Sequence, residues 1–195
     1  GYITKILRTL KEEDFKQVET IGWLYQYYIS EKKEIVFENL KNNQKIEKND
    51  IPAATQLFTP DWIVKYLVEN TLGKYLKNKE ELKYYVKSDE IVENKDVEKI
   101  TFIDPCCGSG HILVYAFEIL YKIYMEDGYT KDIAVEKILT NNLYGIDIDY
   151  RAVQLTILAL CLKAREYDKN IFNKDIIKKM NIITIYDSNN ISNEI

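Results

Sequence analysis

The chain has 195 residues, a net charge of −4, 46% hydrophobic residues, and only seven Gly and three Pro. That composition excludes a disordered or low-complexity polymer, and the length suffices for one domain with a buried core and, at most, an appendage. With no apolar run of about 18 residues and no basic-then-apolar leader, neither a membrane span nor a signal peptide is expected, which makes the cytoplasm the expected compartment.

Three cysteines, two of them adjacent at Cys106 and Cys107, and a single histidine make neither a disulfide framework nor a zinc set, so no metal is expected. Acids and lysines alternate, as in Glu31-Lys32-Lys33-Glu34. Such runs read as solvated faces, and without a basic excess these residues are not expected to grip nucleic acid by themselves.

The first fifty residues form a helical arm by pattern, with Ile3, Ile6, Leu7 and Leu10 at helical spacing and a second apolar stretch at Ile21, Trp23, Leu24, Tyr27 and Tyr28. The polar segment 41–50 reads as a linker, which divides the chain into an arm, 1–50, and a second part, 51–195. Thr59 then fits an N-cap, Pro60 a first helical position and Asp61 the positive helix start, which predicts a helix from Pro60 to about Leu76. Residues 100–104 look like a short buried strand that runs into Pro105-Cys106-Cys107-Gly108-Ser109-Gly110 and an apolar helix to about 125. A helix over 130–141, a strand over 143–147, a helix over 150–165 capped by Asp149 and a strand over 182–186 follow. Strands alternating with helices predict an α/β fold with a parallel sheet.

The octapeptide from Asp104 to His111 carries most of the chemistry. Glycines at 108 and 110, just past a strand, let the backbone turn sharply and let a ligand approach without Cβ atoms in the way. A dinucleotide fingerprint would place a third glycine where Leu113 stands and a ribose-binding acid about 20 residues on, whereas the next strand-end acid, Asp147, lies 37 residues after Gly110. A phosphate loop would continue with Gly-Lys, and Gly110 is followed by His111. S-adenosyl-L-methionine, which has a ribose, an adenine and an ammonium-carboxylate tail but no phosphate, suits these residues better. Asp104 would accept from the ammonium, N–H groups of residues 108–110 would meet the carboxylate and Asp147 would accept the ribose hydroxyls. His111 reads as a packed or capping residue, Cys106 and Cys107 as small loop and core residues, and Tyr25, Tyr27 and Tyr28 as core, rim or a partner surface.

Together, Asp104-Pro-Cys-Cys-Gly-Ser-Gly-His111, Gly145-Ile-Asp-Ile-Asp149 and Gln56-Leu-Phe-Thr-Pro60 resemble the cofactor motifs of adenine-N6 DNA methyltransferases, in particular the PglX-like enzymes of phage-exclusion (BREX) systems and related type II restriction-modification enzymes. The resemblance implies a partial Rossmann-like sheet of about three parallel strands behind the helical arm. It implies that Phe58, Thr59 and Pro60 lie near the methionine part of the cofactor, and that Asp104, Pro105, Cys107, Gly108, Ser109 and Gly110 form its floor. Asp147 would bind the ribose, Ile148 would lie beside the adenine, and Asp187 or its neighbours Ser188 and Asn189 would contact the adenine amino group.

The same family methylates adenine through a motif of the form Asn/Asp-Pro-Pro-Tyr/Phe, which stacks the flipped base. The prolines here are Pro52, Pro60 and Pro105, none adjacent to another, so no catalytic residue is assigned. The chain is therefore expected to be the cofactor half of a larger enzyme, inactive alone, whose double-stranded DNA partner is held by other parts of the protein. With its first strand left at a sheet edge, this half is expected to self-associate. Two other readings share the motifs: a regulatory module that binds NAD or ATP, and the cofactor half of an RNA or protein-glutamine methyltransferase.

Overall fold

The computed structural model describes residues 19–87, 95–173 and 175–186, so the helical stretch expected near Ile3 and the proposed contact at Asp187 lie outside the described residues. Contacts divide the chain into two compact units, Gly1–Thr55 and Gln56–Ile195. In the first, helix α1 (Glu19–Lys41) packs on the short helix α2 (Ile51–Thr55), and Ile29, Val36 and Ala53 are buried. Lys32 pairs with Asp50 at 2.9 Å, which ties the turn before α2 back to α1. Tyr27 and Tyr28 are exposed and Tyr25 is half-buried.

The second unit is α/β, as the sequence implies. Its elements are α3 (Asp61–Thr71), β1 (Phe102–Asp104), α4 (His111–Glu126), α5 (Lys131–Lys137), β2 (Leu143–Asp147), α6 (Tyr150–Arg165) and β3 (Asn181–Thr184). The strands are parallel and lie in the order β1-β2-β3, with Asp104 opposite Gly145 and Asp147 opposite Thr184. Strand β2 and helix α6 have the bounds expected from the sequence.

Other bounds differ for identifiable reasons. The N-cap of α3 is Pro60 and not Thr59, because the Pro60 carbonyl accepts the first helical bonds, from the N–H groups of Ile63 and Val64. Helix α3 stops at Thr71 and is followed by a 3-10 turn over Gly73–Tyr75. The helix expected to reach 141 loosens into a π-type turn over Ile138–Asn142. Strand β1 begins at Phe102 because the residues just before it are held in a 3-10 turn, Val97–Lys99, where the Ile100 N–H donates to the Val97 carbonyl. The β3 assignment ends at Thr184, although the Ile185 N–H adds one more bond, to the Asp147 carbonyl.

Helix α4 is apolar on nearly every side, which suits a helix surrounded by other elements. Leu113, Phe117, Leu120 and Tyr124 are fully buried, and α4 contacts α3, α5, α6 and the sheet. It packs tightly on the sheet at Gly145, where a Cβ would stand 2.8 Å from Leu113 Cδ1 and 3.0 Å from Ile182 Cδ1. Side chains alternate across a strand, so the covered face carries Leu143, Gly145 and Ile182, while Ile103, Tyr144, Ile146 and Ile183 point the other way. On that second face Ile103 is 57% and Ile183 55% exposed. As an edge strand β1 has only three residues, and short edges are one way proteins discourage pairing. Nothing in the structure supports the expected self-association.

Buried polar side chains fix the register of these apolar surfaces. Asn142, 0% exposed, donates to the carbonyls of Val97 (2.8 Å) and Ile100 (2.6 Å) and accepts from the Tyr124 hydroxyl (2.9 Å). It thereby locks the turn before β1 to α4 and to the entry of β2. Glu69 of α3, 1% exposed, accepts from the Tyr115 hydroxyl of α4 at 2.8 Å and from the Tyr84 N–H at 2.6 Å. Burial and the adjacent Glu69 carboxylate both push the Tyr115 hydroxyl above its ordinary pKa, so it stays a donor at any physiological pH. Asn142→Ala strands two carbonyls and a hydroxyl in the interior and should cost about 2–4 kcal/mol in urea unfolding; a loss below about 1 kcal/mol would show that the clamp does not set the position of β1.

Candidate functional site

The three strands deliver their carboxyl ends to one edge of the sheet, where open α/β folds bind ligands. There the loops after β1, β2 and β3 converge on Asp147. Its Oδ2 accepts the Gly108 N–H at 2.8 Å, its Oδ1 accepts the Asp149 N–H at 2.8 Å, and its carbonyl accepts the Ile185 N–H at 2.9 Å. The neighbouring Ile146 carbonyl accepts the Cys107 N–H at 2.9 Å. Asp149 in turn caps α6 by accepting the Arg151 N–H at 3.0 Å, the role its sequence position suggests.

The turn itself runs from Cys107, whose carbonyl accepts the Gly110 N–H at 2.8 Å. Gly108 has φ +53° and Ser109 is not among the positive-φ residues, the pattern of a type II′ turn that needs glycine at its first central position. The two glycines serve different needs. A Cβ on Gly110, already at φ +89°, would press within 3.0 Å of Thr156 on α6, whereas a Cβ on Gly108 would meet nothing within 4 Å. The Gly108 side is the open one.

Helix α4 starts immediately after the turn with no side-chain cap, so its first N–H groups and positive dipole end face the site. Phe58 meets the His111 ring edge-on, at 4.8 Å between centroids and 82° between planes. The segment preceding α3 is thus seated on the first residue of α4, and His111 is a packed ring, as the sequence suggests. Thr59 is half-buried beside it, and Pro60 is exposed.

Electrostatics single out Asp104, which is 8% exposed and accepts the Cys106 N–H at 3.1 Å. Burial first, and then the negative charge of Asp147, raise its carboxyl above the ordinary value, against the lowering effect of that hydrogen bond. Burial likewise pushes the Cys107 thiol up to about 12, so it is a neutral packing group and not a nucleophile. Cys106 is exposed. Among the described residues no cluster of His, Cys, Asp and Glu is arranged to hold a metal.

Of the residues expected from the sequence, the structure brings Phe58, Asp104, Pro105, Cys107, Gly108, Ser109, Gly110 and Asp147 to one edge. Ile148 follows on the rim, half exposed. One expectation changes in detail: the Gly108 and Gly110 N–H groups already have acceptors inside the protein, which leaves Ser109 as the donor of that set. Two residues of the region were not singled out by sequence, Glu69 and Thr156. Thr156, 0% exposed, lies on the buried stripe of α6 with Ala152, Val153, Ala159 and Leu160, and donates to the Gly108 carbonyl at 2.8 Å. A lone hydroxyl in an apolar stripe is the signal that would have found it.

Comparison with known proteins bears on the chemistry. Residues 75–194 match the model of the MmeI DNA-methyltransferase domain. The chain is 43% identical over 201 residues to the adenine-specific methyltransferase PglX of Lacticaseibacillus casei (strain Zhang), an alignment that covers 88% of this chain and 16% of that protein. To the adenine-specific methyltransferase BrxX of Escherichia coli O9:H4 (strain HS) it is 42% identical over 199 residues, covering 92% of this chain and 16% of that protein. To the type II restriction enzyme and methyltransferase RM.Eco57I of Escherichia coli it is 30% identical over 165 residues, covering 76% and 15%. The chain therefore spans 16% of the length of the first two of these relatives.

Asp104→Asn isolates the electrostatic cost of the site, since the amide oxygen can still accept the Cys106 N–H. A carboxyl whose pKa is raised by folding binds its proton more tightly in the native state. Stability therefore falls as pH rises from the ordinary carboxylate value through the raised one, and the full cost persists above it. The variant should melt above the unsubstituted chain at pH 7, by roughly 2–4 °C per kcal/mol relieved, and the gap should close as pH falls through the carboxylate range. A variant that melts lower at pH 7 would contradict this account.

Proposed function

Because the chain belongs to the DNA-methyltransferase family that the MmeI domain represents, we propose that it forms the S-adenosyl-L-methionine-binding half of an adenine-N6 DNA methyltransferase of the phage-exclusion or restriction-modification kind. The observation that carries the cofactor assignment is the pair of carboxylates, Asp104 and Asp147, set on either side of a glycine turn whose Gly108 face is open. When bound, the cofactor supplies an electrophilic methyl group.

The residues present fit that molecule. Asp104, held above its ordinary pKa by burial and by Asp147, gains most from a cation, and the ammonium of the methionine tail is one. The tail carboxylate finds the Ser109 N–H and the uncapped start of α4. Each oxygen of Asp147 accepts one backbone N–H, and a carboxylate has about four acceptor positions, so capacity remains for two ribose hydroxyls. Phe58, Thr59 and Pro60 would wall the methionine part and Ile148 would flank the adenine. Asp187, with Ser188 and Asn189, is proposed for the adenine amino group on sequence alone.

Methyl transfer to an exocyclic amine requires a group that accepts from that amine while the base is stacked, the task of the Asn/Asp-Pro-Pro-Tyr/Phe motif. No such motif occurs in these 195 residues, so we assign the transfer, and the grip on double-stranded DNA, to the whole protein and not to this part. A cytoplasmic setting goes with that role, and among the described residues no helix is long and apolar enough to cross a membrane.

Calorimetry with S-adenosylmethionine, NAD and ATP tests the proposal. The first should bind and the others should not; binding of NAD or ATP in its place would favour the nucleotide-regulated reading. Charge-assisted bonds contribute roughly 1.5–3 kcal/mol each, so Asp147→Ala should weaken the cofactor by about tenfold or more, and unchanged affinity would sink the assignment. In a radiolabel assay the isolated chain should transfer no methyl to DNA.

A further inference from the structure

Thr156 spends its hydroxyl unusually for a helical threonine. Thr55, Thr71 and Thr140 each donate back to the carbonyl four residues earlier, at 2.8 Å in every case, the habitual use of a helical hydroxyl. Thr156 instead donates across to the Gly108 carbonyl at 2.8 Å, and its hydroxyl also lies 3.8 Å from Cys107 Sγ. The turn sits directly on it, since a Cβ on Gly110 would be 3.0 Å from both Oγ1 and Cγ2 of Thr156.

The contact has a directional consequence. The peptide joining Gly108 to Ser109 is trans, so its C=O and N–H point opposite ways. With the carbonyl pinned toward α6, the Ser109 N–H must be turned away from α6. The Gly108 N–H is taken by Asp147, and the Gly110 N–H closes the turn on Cys107. Of the three, the Ser109 N–H is the one given no acceptor among the described residues, and the peptide that carries it is oriented by a side chain of α6.

We propose that Thr156 is a positioning residue that aims the Ser109 N–H at the carboxylate of the cofactor's amino-acid tail. This inference rests on the S-adenosylmethionine reading and adds to it the element of the protein that recognises the carboxylate end. Thr156 itself touches no ligand. It acts by denying the turn the flipped peptide, which would present a carbonyl oxygen to a carboxylate.

The test compares two probes that share the nucleoside thioether and differ in the tail: S-adenosylhomocysteine, which has the carboxylate, and 5′-methylthioadenosine, which lacks it. Thr156→Val removes the hydroxyl at nearly constant shape. It should weaken S-adenosylhomocysteine roughly tenfold, the equivalent of one good hydrogen bond, and leave 5′-methylthioadenosine within about twofold, while Thr156→Ser restores the first. In the unsubstituted chain, which needs no variant to fold, the Ser109 amide proton should shift downfield with S-adenosylhomocysteine and not with 5′-methylthioadenosine. Equal weakening of both probes by Thr156→Val, or an unmoved Ser109 amide, overturns the inference and leaves the cofactor reading standing. An unsubstituted chain that binds neither probe overturns both.

Discussion

Asp147 accepts one backbone N–H on each side-chain oxygen and a third on its carbonyl, and these three bonds tie the loops after β1, β2 and β3 to a single residue. A neutral amide could not replace the carboxylate, because one of its two ends would set an NH₂ donor against a backbone N–H. The constraint also explains why the acid stands at the last position of β2: only there does the side chain reach the turn after β1 while the main chain still pairs with β3. A ligand at this edge would meet a turn after β1 already held in place by hydrogen bonds to β2, with that ordering cost met during folding and not at binding.

A second tier of polar contacts sets where that edge lies. Apolar packing around α4 is strong but weakly directional, since a helix that is hydrophobic on most sides could slide or rotate with little loss. Asn142, Glu69 and Thr156 remove that freedom because each is buried and each has partners on a different element. An error of one residue in register would leave their partners unsatisfied in the interior, at about 1–3 kcal/mol apiece. Glu69 fixes α3 on α4, and α3 begins at the segment whose Phe58 meets His111. The position of Phe58 is therefore decided some distance away, by a buried carboxylate of α3.

Much of this was legible in the sequence where it depended on neighbours in the chain. The strand, glycine turn and apolar helix around Gly108, the Asp149 cap and the bounds of β2 and α6 are local patterns, and they appear as expected. What was not legible depends on contacts made far along the chain. Ile100 and Thr101 read as strand, yet the Ile100 carbonyl is taken by Asn142, 42 residues later. Thr59 has the chemistry of a cap, but the first helical N–H groups bond to the Pro60 carbonyl, so Pro60 takes that place. The N–H groups of residues 108–110 looked equally available to a ligand. Which of them are consumed internally follows from Asp147, 39 residues away from Gly108, and no local pattern announces it.

The charges at the edge carry the argument about ligand class one step further. Asp104 is buried and also feels the charge of Asp147, so the protein holds an acid here at a cost. A perturbed acid with a stability cost is characteristic of binding and catalytic sites. Its sign matters as much as its cost. A phosphate group brought to this turn would add negative charge to two carboxylates, while an ammonium would neutralise one of them where the dielectric is low and the gain is large. A ligand with an ammonium beside a carboxylate, and with neutral ribose hydroxyls instead of phosphates, matches Asp104, the Ser109 N–H and Asp147 in turn. On this ground the electrostatics of the edge support the proposed S-adenosylmethionine over NAD or ATP by a route separate from the sequence spacing.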